Sequence, residues 1–204
     1  NGVDYTYDYD PGDVWKTNNY TALTTTSLWT APTTADPFAA FKTVKDAIRS
    51  KTGDELTIAI MNTYTFNLMA ATDAVKNRYL TTNGLSLGYL TDAEVKAIVE
   101  ATSGLRIAIY DKQYKDESGT AHSFVPDGYV CLIPAGNLGN TWYGTTPEEA
   151  DLQGSSSAEV SIVNTGVAIT REIQDHPVNI NTFASEIVLP SFERMDSVGV
   201  LKVV

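Results

Sequence analysis

The side chains able to do acid–base or metal chemistry in this sequence are few and dispersed. There are two histidines. His122 follows a turn, His176 lies in Asp175-His176-Pro177, and neither stands in a catalytic frame. Glu172, Asp175 and His176 could in principle hold a metal, but their spacing matches no standard site, so a solvated loop is the better reading. Asp4, Asp8, Asp10 and Asp13 invite a calcium loop. An EF-hand needs acidic or amide groups at every second position before its glycine, and Thr6 and Pro11 break that order. Pro134-Ala135-Gly136-Asn137-Leu138-Gly139 places glycines after a strand, yet no helix bearing Lys or Ser/Thr follows to complete a phosphate cradle, and a plain turn explains it. The single cysteine, Cys131, sits in Tyr129-Val130-Cys131-Leu132-Ile133, where it reads as a small core residue and not a reactive thiol. No Gly-x-Ser-x-Gly elbow and no Cys/His signature is present. The expectation is a non-enzymatic chain with no catalytic, cofactor-binding or metal residues.

Composition narrows the classes further. The chain has 204 residues, 43% of them hydrophobic, enough to bury a sizeable core in one or two units. No apolar run approaches the roughly 18 residues of a membrane span, and no signal-peptide pattern opens the sequence. A formal charge of −11 without a basic stripe argues against sequence-specific nucleic-acid binding, which needs clustered Lys or Arg on phosphates. One cysteine allows no intrachain disulfide, which suits a reducing compartment and leaves stability to packing and assembly.

Stepping along the chain, residues 1–35 carry Tyr5, Tyr7, Tyr9, Trp15, Tyr20 and Trp29 with little periodicity. Such aromatics should pack on the rest of the fold or on a neighbouring subunit. Asp36-Pro37 reads as an N-cap followed by proline at the first helical position, and Phe38, Phe41, Val44, Ala47 and Ile48 recur at helical spacing up to Gly53. Leu56 to Met61 is a buried strand, and Asn62 caps a second helix with Phe66, Met69 and Ala70 on one side. Thr91-Asp92-Ala93-Glu94 is a capping box; Val95, Ile98 and Val99 form the apolar face behind it, and Gly104 is the C-cap. Leu105–Tyr110 and Val130–Ile133 are strands, Asp116–Gly119 a turn, and Thr146-Pro147-Glu148-Glu149 opens a short helical turn. From Ala158 onward the pattern is β: Val160–Val163, Val167–Thr170, Val178–Leu189 and Val198–Val204. Helices in the middle and strands at the end predict an α+β fold and not repeated parallel units.

Four stretches, taken in order, resemble the lambda-type phage major capsid protein E family from about Trp29 to Val204. They are Trp29 with Ala35-Asp36-Pro37 and its helix; Phe124-Val125-Pro126-Asp127-Gly128; Tyr143-Gly144-Thr145-Thr146-Pro147-Glu148-Glu149-Ala150-Asp151; and Asp175-His176-Pro177-Val178 leading to Leu189-Pro190-Ser191-Phe192-Glu193. The resemblance implies the Hong Kong 97-type capsid fold, with axial and peripheral domains. On that frame 1–35 is an extended N-terminal segment, 36–53 the peripheral spine helix, 54–171 the axial domain, 172–194 peripheral strands crossing the helix, and 195–204 a final strand returning to the axial domain. The family's N-terminal arm and extended loop would precede Asn1 and so be largely missing.

The resemblance further implies a major head protein of a tailed phage or prophage. Its partners would be copies of itself in pentamers and hexamers, with scaffolding, decoration and portal proteins besides, and no membrane. It would reside in the virion after assembly in the bacterial host cytoplasm, enclosing double-stranded DNA. Selection for self-complementary edges, not for a pocket, agrees with a chain lacking convergent ionisable groups. The rival expectations are an encapsulin-like compartment of the same fold, a carbohydrate-binding or adhesin module suggested by the Thr and Asn content and the aromatic-rich start, and an unrecognised hydrolase needing a deep pocket with paired acids.

Overall fold

Helix formation between Asp36 and Gly53 follows from its two ends. The Asp36 carboxylate accepts from the N–H groups of Phe38 (3.0 Å) and Ala39 (3.1 Å), and Gly53, at φ +75°, closes the helix by donating to the Arg49 carbonyl at 3.0 Å. This helix, α1 (Pro37–Thr52), buries Pro37, Ala40, Phe41, Val44 and Ile48. The expected Phe38 and Ala47 lie half-buried at the margin of that stripe.

The computed structural model describes residues 8–9, 12–13, 17–83, 90–147, 159–164, 166–175 and 178–204. They divide into two compact units, one of residues 1–136 with 194–204, the other of 137–193.

The first unit is built on a five-stranded sheet. Its strands in chain order are β1 (Tyr20–Ala22), β2 (Leu56–Met61), β3 (Arg106–Ile109), β6 (Tyr129–Pro134) and β12 (Gly199–Lys202), arranged β1-β12-β6-β2-β3. The β1/β12 and β2/β3 pairs are parallel, and the two central pairs antiparallel. Helices α2 (Thr63–Ala71), α3 (Asp73–Asn83) and α4 (Asp92–Ser103) join α1 around the sheet, with α1 on β12 and α4, and α4 on α3 and β3. The core includes Trp29, Phe41, Ile48, Leu56, Met61, Phe66, Leu132 and Leu201. Trp29 meets Phe41 edge-on at 5.7 Å, so this early aromatic packs on its own fold. Trp15, Tyr5 and Tyr7 lie outside the described residues.

One glycine sets how closely α1 can approach the sheet. A Cβ at Gly199 would stand 2.5 Å from Val44 Cγ1 and 3.6 Å from Ile48 Cγ1, so only a bare backbone lets the helix seat there. The first unit also carries a short hairpin, β4 (Gln113–Lys115) with β5 (Ala121–Ser123), around the predicted Asp116–Gly119 turn.

The second unit holds a meander β8 (Glu159–Asn164), β9 (Val167–Asp175), β10 (Val178–Glu186), and a separate pair of β7 (Thr141–Tyr143) with β11 (Val188–Pro190).

No boundary falls between 53 and 54, because α1 is packed against β12 and α4 within the first unit. A cut at 171/172 would fall inside β9, and the second unit begins at Asn137. The long run Val178–Leu189 is two strands, since β10 pairs with β9 while β11 turns to β7. Of the helical turn expected at Thr146–Glu149, Thr146 and Pro147 are described, and Glu148 and Glu149 lie outside the described residues.

Candidate assembly surfaces

In the first unit the hairpin presents aromatic rings to solvent. Tyr114 packs on Phe124 at 5.1 Å and beside His122 at 5.5 Å; Phe124 meets Tyr110 at 6.1 Å, and Lys112 Nζ stands 6.0 Å over the Tyr110 ring. Phe124 remains 56% exposed, and Tyr110 and Tyr114 are exposed with it. A preassembled ring cluster loses little side-chain freedom on contact, which is the property of an interface anchor.

Asp116 holds the hairpin's turn. Its carboxylate accepts from Ser118 Oγ (2.6 Å), from the Thr120 N–H (2.8 Å) and faces His122 Nε2 at 2.9 Å. These donors, Ser118 first and then His122, draw its pKa from 3.8 to about 2. The group is thus held as a carboxylate and is a poor proton acceptor near neutrality. The sequence's first histidine is therefore part of a turn staple. His176 and Pro177 lie outside the described residues, and Glu172 and Asp175 stand on β9 in register with Asn181 and Val178. Of the four early aspartates, Asp4 and Asp10 are outside the described residues, and the Asp13 carbonyl accepts from both the N–H and hydroxyl of Thr17. Cys131 lies on β6 in the sheet, where burial pushes its thiol up to about 11. Among the described residues no three His, Cys, Asp or Glu side chains gather as metal ligands. The groove along α1 is lined by Asp36, Asp46, Lys42, Lys45 and Arg49, and two of these cations are used internally: Lys45 donates to the Ser103 carbonyl at 2.8 Å, and Arg49 meets Glu55 at 3.1 Å.

Two of the motifs noted in the sequence prove to be structural joints. In Phe124–Gly128, the Asn62 amide that caps α2 also donates to the Val125 carbonyl at 3.3 Å and to Asp127 Oδ1. Gly128, at φ +76°, donates to Thr65 Oγ1 at 2.9 Å while its carbonyl takes the Val203 N–H at 2.8 Å. One loop thereby joins α2 to the strand end beyond β12. In the second unit, Leu189–Glu193 runs along β7. Trp142 Nε1 donates to Ser191 Oγ at 3.1 Å, Ser191 Oγ to Glu193 at 2.9 Å, and Asn140 Nδ2 to both Glu193 oxygens at 3.2 and 3.1 Å. Asn140 and Ser191 as donors lower the Glu193 pKa.

The second unit exposes apolar side chains. Trp142 is 60% exposed and Val178 86%; Tyr143, Ile180, Phe183, Ile187, Val188 and Leu189 are exposed as well. The signal for this surface in the sequence was the density of β-branched and aromatic residues after position 140, which marks strands but not which faces stay bare.

The fold is that of Hong Kong 97-type capsid proteins. It aligns with a phage-related protein from Bordetella bronchiseptica RB50 at a TM-score of 0.58 and 14% identity, covering 95% of this chain and 58% of that one. It aligns with a chain described as a prophage capsid protein of E. coli CFT073 at 0.60 and 16%, covering 87% and 50%. This chain thus spans 58% of the length of the first and 50% of the second. The sequence match is direct: the model of the phage major capsid protein E family fits residues 4–203, and the chain belongs to that family. No curated protein matches it in sequence.

Proposed function

We propose that this chain is the shell-forming part of a phage or prophage major head protein, acting through contacts between copies and without catalysis. The observation that carries the proposal is the exposed apolar surface of both units, the Tyr110–Tyr114–Phe124 cluster and the Trp142–Val178–Leu189 strands, on a chain of this family. Contiguous bare aromatics and aliphatics mark protein interfaces in soluble proteins. In a closed assembly each patch must meet a complementary surface on a neighbouring copy.

The first unit, with its complete sheet and helices, corresponds to the axial domain around pentamer and hexamer axes, and α1 belongs to it. The second unit supplies peripheral strands. Scaffolding, decoration and portal proteins are further partners, and the virion, assembled in the host cytoplasm, is the location. A formal charge of −11 suits a wall around DNA, which it repels and does not adsorb.

Expression of the full-length protein with electron microscopy and light scattering tests this directly. Rings or closed shells support the proposal. A stable monomer at high concentration contradicts it.

A further inference from the structure

The meander of the second unit ends on β10, nine residues from Val178 to Glu186, which among the described residues has β9 on one side only. In an antiparallel strand about half of the backbone N–H and C=O groups point away from the partner, so this edge offers a row of them. Proteins protect such edges with charge, proline, a bulge or brevity. β10 has only one of these, a charge at its end. Its only charged residue is the terminal Glu186, it contains no proline, and its register with β9 runs unbroken from Val178↔Asp175 to Glu186↔Val167. The opposite edge differs, because the β8/β9 register shifts between Ile162 and Asn164. Val178, Ile180 and Phe183 are exposed along β10.

We propose that β10 pairs antiparallel with β10 of a second copy across a twofold axis, joining two meanders into one six-stranded sheet. The placement of charge selects both partner and direction. Parallel in-register pairing would set Glu186 beside Glu186, and like charges directly opposite are destabilising. Antiparallel pairing centred on Thr182 puts Glu186 opposite the partner's Val178 and holds the two carboxylates about 27 Å apart at 3.4 Å per residue. It also sets Ile180 opposite the partner's Ala184, Asn179 opposite the partner's Ser185, and Thr182 opposite the partner's Thr182. Apolar then meets apolar or polar meets polar at these last three pairings, while Asn181 stands opposite the partner's Phe183 and Glu186 opposite the partner's Val178. The pairing is isologous, as a twofold contact requires. It rests on the shell-forming reading above, of which it specifies one contact.

The test uses the full-length protein in assembled and dissociated states. Hydrogen exchange of the 178–186 amides is expected to slow by about tenfold or more on assembly. Thr182→Cys is expected to give disulfide-linked dimers under mild oxidation, because opposed Cα atoms in an antiparallel pair lie about 4.5–5.5 Å apart, within disulfide reach. Arg171→Cys, on the central strand β9, is expected to remain monomeric under the same conditions. Shells whose β10 amides exchange equally in both states, or in which Thr182→Cys never crosslinks, overturn the pairing while leaving the shell-forming reading intact. If no shell forms, that reading falls, and Thr182→Cys in solution decides the pairing alone: a crosslinked dimer retains it and a monomer overturns it.

Discussion

Three donors converge on the Asp116 carboxylate, and the consequence is a measurable pH response. Its folded pKa, about 2, lies below the ordinary 3.8, so its contribution to the hairpin is present above about pH 4 and is lost as pH falls toward 2. A carbon-detected NMR titration should place its midpoint near 2 in the folded protein; a midpoint near 3.8 would mean that the Ser118 and His122 contacts do not persist in solution. Gly128 answers to sterics instead. It sits at φ +76°, and an added Cβ would overlap the Val204 side chain, so Gly128→Ala should destabilise the first unit by about 1–3 kcal/mol in denaturant unfolding. An unchanged midpoint would show that Val204 moves aside freely. At this scale the sequence speaks clearly where one residue acts on its own backbone. Asp36, Asn62, Thr91 and Gly104 all cap as their types and spacing predict, with Thr91 and Glu94 forming the full reciprocal box. It is silent where the partner is remote in the chain, as between Asn62 and Asp127, or Trp142 and Ser191.

Elements were legible in proportion to how much of their pattern is local. α1, α2, α4, β2 and β6 carry caps or apolar periodicity and fall where the sequence places them. Helix α3 was not expected, because Asp73–Asn83 buries little apolar surface beyond Val75, and its seat is made by contacts from outside: Tyr79 donates to Glu94 of α4 at 2.9 Å, and the Asp73 N–H donates to the Pro32 carbonyl at 2.9 Å. Strand β7 was missed, and β11 was read as the end of the run Val178–Leu189, for a related reason. Three residues have no readable period, and only their pairing with each other defines them. The fit of α1 on β12 makes a prediction of its own. Gly199→Ala would drive a methyl into Val44, so it should cost about 1–3 kcal/mol by overpacking and shift the amide resonances of α1, whereas a neutral effect would show slack between helix and sheet. Loss of the Asp36 cap by Asp36→Ala should cost about 1 kcal/mol in the same assay, with no loss of helicity beyond the first turn.

For the whole molecule, the α+β class and the capsid family were readable from ordered motifs spread over most of the chain, whereas nothing local in the sequence marks the compact units. A boundary depends on which elements share a core, and the return of residues 194–204 into the first unit is a long-range event with no local signature. The exposed surfaces were equally hidden, since the same β-branched and aromatic residues build a buried sheet or a bare one. The central claim is that these surfaces meet neighbouring copies. Cryo-electron microscopy of shells assembled from the full-length protein tests it most directly. The account predicts the Tyr110–Tyr114–Phe124 cluster and the Trp142 and Val178 side chains buried between subunits; shells in which both surfaces remain open to solvent would contradict it.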